Sequence, residues 1–302
     1  MARILITGTN GQVGFELTRS LATFDEIIPI TRKQLDLKNK QAIIDMLDAL
    51  KPDIIINPAA YTAVDKAETD EATAIAINAY APLVLAEWVE KNKALLIHYS
   101  TDYVFDGKKE GVYLEEDSTN PQSVYGSSKR QGEIFIAQHT QRYVILRTSW
   151  VFGSYGNNFL KTILRIANER DTLNIINDQT GSPTSAALIA DVTAHITREY
   201  LRLGEQFIDK CCGIFHLTSA GETTWHAYAK HILDLASSAG MTLKTKTENV
   251  QGIPSSAYPT PAKRPTNSRL NTSKLQTVFN IKLPDWKDGV NYAFAIIENN
   301  KK

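Results

Sequence analysis

Cysteine is nearly absent: the 302-residue chain has two, Cys211 and Cys212, side by side. Neighbouring thiols cannot staple distant segments, so a disulfide framework is excluded. Net charge is absent as well, with 33 Lys and Arg against 33 Asp and Glu. Nothing in that balance draws the surface as a whole to nucleic acid or to an anionic membrane. A phosphorylated ligand would therefore be met locally, by placed backbone amides and a few cations. No run of about 18 or more apolar residues stands out to span a bilayer. The opening MARILITG runs straight into a strand, without the apolar core and cleavage site of a signal peptide. The expectation is a cytoplasmic protein with no nucleic-acid and no membrane partner.

What is present is an ordinary globular mix, 43% hydrophobic and 22% charged, long enough for one large domain or two smaller ones. The first half alternates short β-rich runs with amphipathic segments. RILITG, EIIPITR, PDIIINPAA, ALLIHYS and YVILRTS read as strands. QVGFELTRSLA, NKQAIIDMLDAL, DEATAIAINAYAPLVLAEWVEKN and a stretch from Val124 to His139 read as helices between them. PDIIINPAA is almost wholly apolar, as a parallel strand covered on both faces should be. Repeated strand–helix units predict an α/β fold, a Rossmann-like doubly wound parallel sheet. Beyond about Ser154 the rhythm loosens. The predicted organisation is a dinucleotide-binding domain over 1–153, with later segments returning to it, and a smaller substrate-binding lobe over 154–302. IPSSAYPTPAKRPTNSRL, flanked by structure, reads as an ordered loop.

LITGTNGQVG places Gly8, Gly11 and Gly14 between a strand and a helix. Alone the triplet is equally a turn. On the first βα unit of a parallel sheet it is where backbone amides meet a pyrophosphate at a helix N-terminus. The second strand ends in Thr31 and Arg32, where NAD enzymes would carry a carboxylate. A guanidinium there suits a 2′-phosphate, so NADPH is the expected cofactor, with NADH as the alternative. Asp36, a few residues on, is placed to meet the adenine amino group.

VYGSSKR sets Tyr125 and Lys129 four apart at the start of a helix, on one face. A free phenol has a pKa of roughly 10, and a neighbouring ammonium lowers it toward use as a general acid or base. HYSTDYVFDG ends the fourth strand in Ser100, Thr101 and Asp102, at the edge where open sheets bind ligands. A hydroxyl there can hold the substrate oxygen beside the tyrosine.

The triad of Thr101, Tyr125 and Lys129, with the glycine loop, resembles the extended short-chain dehydrogenase/reductase superfamily. NPAAYTAVDKAE, RTSWVFG, GNNFLKT, INDQTGSPT, TSAGETTWHAYA and SAYPTPAKRPTNSRLNT add a resemblance to its reductases of dTDP-linked 4-keto-6-deoxy sugars. These stretches run to about residue 275. The resemblance implies NAD(P)H-dependent reduction of a C4 ketone on a dTDP-sugar, for bacterial surface polysaccharide. It implies that Gln12 and Val13 meet the pyrophosphate, that Asp36 and Leu37 flank the adenine, and that Ala60, Tyr61, Thr62 and Tyr99 line the cofactor. Thr101, Asp102, Trp150, Asn158, Arg264 and Asn267 would bind the nucleotide sugar. Some relatives dimerise through magnesium held by glutamates. Glu16 matches one of them, but the later position is Ala187, so no metal and a monomer or weak homodimer are expected. An epimerase or dehydratase, which recycles its cofactor, and a non-catalytic cofactor-binding subunit are the alternatives. Tyr103, standing where a dehydratase would carry a second carboxylate, argues against that enzyme.

Overall fold

The computed structural model describes residues 2–24 and 26–299. The five strands expected from the first half are β1 (Arg3–Ile6), β2 (Glu26–Pro29), β3 (Ile54–Asn57), β4 (Leu95–Thr101) and β5 (Tyr143–Thr148). A sixth, Gly213–His216, joins them from far along the chain. All six are parallel, in the spatial order β2, β1, β3, β4, β5 and Gly213–His216.

Period-two alternation sends successive residues to opposite faces. Ile4, Ile6, Ile54 and Ile56 pack under α1 (Gln12–Ser20) and α8 (Ala186–Leu203), against Leu17, Leu21, Ile189 and Ile196. Leu5, Ile55 and Leu96 face the other way, onto Ile43 and Leu47 of α2 (Lys40–Leu50) and Val84, Leu85 and Val89 of α5 (Ala81–Asn92). β3 is inaccessible on both faces at Ile54, Ile55 and Ile56. Each such side chain contributes roughly 1.5–3 kcal/mol by leaving water.

Between β3 and β4 the chain makes two short turns, α3 (Val64–Ala67) and α4 (Glu71–Ile75), then a π-helical stretch, Ala76–Tyr80, that runs into α5. The continuous helix Glu71–Asn92 is long and apolar enough to cross a membrane, against the expectation that no segment would be. Its most apolar 18-residue window is 56% buried within the fold, because α5 packs on the sheet between α2 and α6 (Val124–His139). That is the arrangement of a core helix.

A second core forms where α7 (Phe159–Glu169), α10 (Trp225–Ser238) and α12 (Trp286–Asn299) meet through Leu160, Ile163, Tyr228, Ile232, Val290 and Phe294. The parallel pair Leu173–Ile176 and Val250–Ile253 caps it. By contrast α8, α9 (Glu205–Cys211) and α11 (Ser273–Phe279) return to the sheet core through Ile196, Phe207, Leu275 and Phe279. Strand order reverses at β1, which has β2 on one side and β3 on the other. The crevice beyond the carboxyl ends of β1 and β3 is the place where such sheets take ligands.

Candidate active site

Gly8, Gly11 and Gly14 sit in that crevice. Gly11 caps α1 without a side chain, and its N–H is given to the Gly8 carbonyl. A Cβ on Gly14 would lie 2.3 Å from the Gly8 oxygen, so only glycine lets the loop fold this tightly onto the helix start. The first amides of α1, at Gln12 and Val13, lack an intrahelical acceptor, as at any helix N-terminus. The Gln12 side chain accepts from Asn158 Nδ2 at 2.9 Å, and Val13 packs on the sheet core.

Past β2, Thr31 gives its N–H and hydroxyl to Gln34 Oε1. Arg32 is exposed and has no carboxylate partner among the described residues. Asp36 accepts from the Lys38 N–H and faces its ammonium at 3.6 Å, while Leu37 is buried in the core on the α2 and α5 face. After β3, Ala60, Tyr61 and Thr62 form the facing wall. Tyr61 is held at both backbone groups by Asn78 of the π-helical stretch, which accepts from Tyr61 N at 2.8 Å and donates to Tyr61 O at 3.1 Å. Asn78 also donates to Ser128 Oγ on α6 at 3.1 Å, so one buried amide ties this wall to the helix of Tyr125 and Lys129.

α6 starts at Ser123, whose hydroxyl accepts from the Gly126 N–H at 3.1 Å. A Cβ on Gly126 would meet the Tyr103 carbonyl at 2.2 Å. Glycine thus lets the first turn of α6 lie directly on the backbone that follows β4, bringing Tyr125 beside Thr101. Burial pushes the Tyr125 phenol up to about 12; hydrogen bonding to Thr101 opposes that and the Asp102 charge adds to it. This differs from the expectation that Lys129 would lower it. The Lys129 amine is turned to the strand, donating to the Tyr99 carbonyl at 2.6 Å and lying 3.1 Å from His98 Nε2. Burial brings Lys129 itself down to about 8, against the pull of the Glu133 carboxylate. Tyr99 enters the site through that carbonyl. Its ring packs in the sheet core and its hydroxyl shares a 2.8 Å hydrogen bond with Thr193 of α8.

Asp102 is buried beside the triad. Its Oδ1 accepts from the Thr101 hydroxyl at 3.1 Å, and Oδ2 has no hydrogen-bond partner among the described residues. Burial raises this carboxyl to about 6, against hydrogen bonds from Ser268 and Thr101.

A cavity of about 1170 Å³ opens next to this group, between the second core and the ordered loop. Two of its lining residues tie it to the triad: Tyr103 stands edge-on to Tyr125 at 5.5 Å, and Ser268 contacts Asp102. Its described lining carries three cations, Arg170, Lys263 and Arg264, and no carboxylate. Arg264 pairs with Asp65 of α3 at 2.9 Å through Nη2, and its buried Nη1 has no partner among the described residues. Trp150, in the left-handed region at φ 49°, stacks on Trp225 at 3.6 Å and lines the same cavity. Asn158 and Asn267 do not line it. Asn158 caps α7 and bonds Gln12 and the Gly153 carbonyl, joining α7 to the start of α1. Asn267 gives both amide hydrogens to Lys109 and Gly111 and accepts from Arg269, pinning the loop. Glu16 pairs with Arg19 at 2.8 Å.

The sequence pattern did not single out Asn57, Asn78, His98, Ser268 or Trp225. Asn57, His98, Ser268 and Trp225 stand inside the stretches NPAAYTAVDKAE, HYSTDYVFDG, SAYPTPAKRPTNSRLNT and TSAGETTWHAYA without a pattern that marks them, and the roles of the polar ones, like that of Asn78, come from distant partners.

The doubly wound sheet, the glycine turn at the reversal of strand order and the Tyr–Lys helix against β4 define a member of the extended short-chain dehydrogenase/reductase class. Within it, the chain belongs to the RmlD substrate binding domain family, whose model matches residues 2–298. It is 45% identical over 291 residues to a dTDP-4-dehydrorhamnose reductase of Salmonella typhimurium, covering 95% of each chain. Among solved structures, the dTDP-4-dehydrorhamnose reductase of Clostridium acetobutylicum superposes with a TM-score of 0.87 at 35% identity, over 98% of this chain and 99% of that one. The Bacillus anthracis enzyme, solved in complex with NADP, gives 0.85 at 33% identity, over 97% and 99%.

Proposed function

We propose that the chain reduces the C4 ketone of dTDP-4-dehydro-L-rhamnose to give dTDP-L-rhamnose, with NADPH as reductant and NADH as the alternative. The product serves bacterial surface polysaccharide. The observation that carries the reading is the juxtaposition of the Thr101–Tyr125 pair with a cavity whose described lining carries three cations and no carboxylate. Such a cavity suits the diphosphate of a nucleotide sugar in a chain with no net charge of its own.

The glycine turn fits a dinucleotide: the close packing of Gly14 on Gly8 leaves the Gln12 and Val13 amides to meet a pyrophosphate. Gly8, Gly11, Gly14, Ala60, Tyr61 and Thr62 would surround it, and Thr31, Arg32, Asp36 and Leu37 its adenosine end. Exposed Arg32 supports the 2′-phosphate of NADPH. Bound NADPH supplies the hydride.

The rest falls to the chain's own residues. Thr101 turns its one hydroxyl hydrogen from Asp102 Oδ1 to hold the ketone oxygen, and Tyr125 gives that oxygen a proton as it becomes an alkoxide. A phenol held near 12 stays neutral at working pH and keeps that proton until the far more basic alkoxide forms. Lys129, anchored on the Tyr99 carbonyl, brings positive charge to the same face of α6. Asp102 Oδ2 and Arg264 Nη1, both buried and free of protein partners among the described residues, would take a sugar hydroxyl and the diphosphate. Trp150 would pack on the sugar. We assign the second lobe and its loop to nucleotide recognition.

The test is Tyr125→Phe. Turnover should fall by about 10²–10⁴, the usual worth of a general acid, while NADPH titrated by its fluorescence still binds. Turnover close to that of the unaltered chain would remove Tyr125 from the role.

A further inference from the structure

His98 is the least exposed member of a hydrogen-bonded line that crosses three neighbouring strands, β1, β3 and β4. Thr7, which follows β1 and precedes Gly8, donates its hydroxyl to Asn57 Oδ1 at 2.6 Å. Asn57 Nδ2 lies 3.1 Å from His98 Nδ1, the two residues being register partners on β3 and β4. His98 Nε2 lies 3.1 Å from the Lys129 amine. All four side chains are at most 2% exposed. We propose that His98, backed by Asn57 and Thr7, is the positioning residue that sets the charge state and direction of the Lys129 amine.

The argument is one of proton counting. A neutral imidazole has one N–H and one lone pair, and each must face its complement when buried. An imidazolium would present two donors, one of them to an ammonium, and burial beside Lys129 accordingly holds His98 well below its ordinary range. Two arrangements remain. With Lys129 as a neutral amine, Nε2–H donates to it, Nδ1 accepts from Asn57 Nδ2, and Asn57 Oδ1 accepts from Thr7. With Lys129 as an ammonium, Nε2 must accept. The imidazole hydrogen then moves to Nδ1, and the Asn57 amide turns so that its oxygen receives it. The line therefore has one proton pattern for each charge state of the lysine, and it ends one residue before the glycine loop.

Other charged groups around the pair are few. Glu133, one turn further along α6, pulls the amine toward its charged form, but that carboxylate is itself neutralised by Arg147 of β5 at 2.8 Å and Arg130 at 3.0 Å. Among the described residues, the amine's hydrogen-bond partners on β4 are the Tyr99 carbonyl and His98, and the imidazole's partner on β3 is the Asn57 amide. The histidine is thus, among the described residues, the titratable side chain in hydrogen-bond contact with Lys129, able to answer a change there by moving a proton.

The proposal rests on the reductase reading for the importance of Lys129, so its test has an arm that needs no turnover. In the full-length chain labelled with ¹⁵N in its histidine rings, the His98 tautomer is followed from about pH 6 to about pH 10. It should change from Nδ1–H to Nε2–H with a midpoint at about pH 8, where the Lys129 amine gives up its proton. A single tautomer throughout overturns the proposal. In a second arm, His98→Gln extends an amide to the place of Nε2, whereas His98→Asn stops at that of Nδ1. The Gln variant should keep the alkaline limb of the unaltered chain, and the Asn variant should move it to lower pH by roughly one unit. Superimposable limbs for the two variants overturn the proposal as well. Failure of the unaltered chain to oxidise NADPH with the keto-sugar would strike the reductase reading alone, since the ring titration would still decide the relay.

Discussion

The site turns first on single protons, and Asp102 shows how. Its carboxyl is held at about 6, above its ordinary 3.8, because it is buried with one oxygen unpaired among the described residues. Between about pH 4 and about pH 6 the folded chain keeps a proton that the unfolded chain has released, so stability falls as pH rises through that window. Above it the loss is on the order of 3 kcal/mol. Asp102→Asn mimics the protonated acid and removes the penalty: calorimetric Tm at pH 7 should rise, and the gain should vanish near pH 4. An equal gain at both pH values would contradict this account. At this scale the sequence was legible where spacing is local. Tyr125 and Lys129 lie one helical turn apart, and Thr101 and Asp102 end a strand. His98 and Asn57 are 41 residues apart and meet only because β3 and β4 are neighbours in parallel register, which no local pattern announces.

Elements place these residues, and α6 is the decisive one. It is fixed at its start by Ser123 and Gly126, and further along by Glu133, whose carboxylate grips the Arg147 guanidinium at 2.8 Å with both groups buried. Burial pushes the Glu133 carboxyl up, but Arg147 and Arg130 outweigh it and leave it below its usual range. Glu133→Ala would strand the arginine charge inside the fold, a loss of about 3–5 kcal/mol. Urea unfolding should show it, and a loss below about 1 kcal/mol would mean that Arg147 finds another partner. The main helices and strands were legible from periodicity. The π-helical stretch was not, because its geometry accompanies an Asn78 amide held between Tyr61 and Ser128, both distant in sequence. The helices α9 and α11 are too short to declare themselves. α12 does carry a signal, Val290, Ala293, Phe294 and Ile297 at helical spacing, in the part of the chain beyond the family-like stretches.

Across the whole molecule, the sheet core and the second core meet where chemistry is proposed. Asn158 joins the cap of α7 to Gln12 of α1, and Arg264 of the ordered loop reaches Asp65 of α3. The return of Gly213–His216 to the sheet edge was expected only in general terms, since a four-residue strand does not reveal its neighbour. The cationic lining of the cavity was equally hidden, because Arg170, Lys263 and Arg264 are gathered from two separate segments. Arg264→Ala should raise KM for the nucleotide sugar by about 10–100-fold, the worth of a hydrogen bond to a charged group, and leave NADPH affinity unchanged. An unchanged KM would remove Arg264 from diphosphate binding. The most direct measurement of the central claim is steady-state kinetics of the full chain on the dTDP-4-keto sugar with NADPH and with NADH, with the product identified. The account predicts net nicotinamide oxidation matched one for one by dTDP-L-rhamnose, with NADPH used at least as well as NADH; conversion of the sugar with no net oxidation would contradict it.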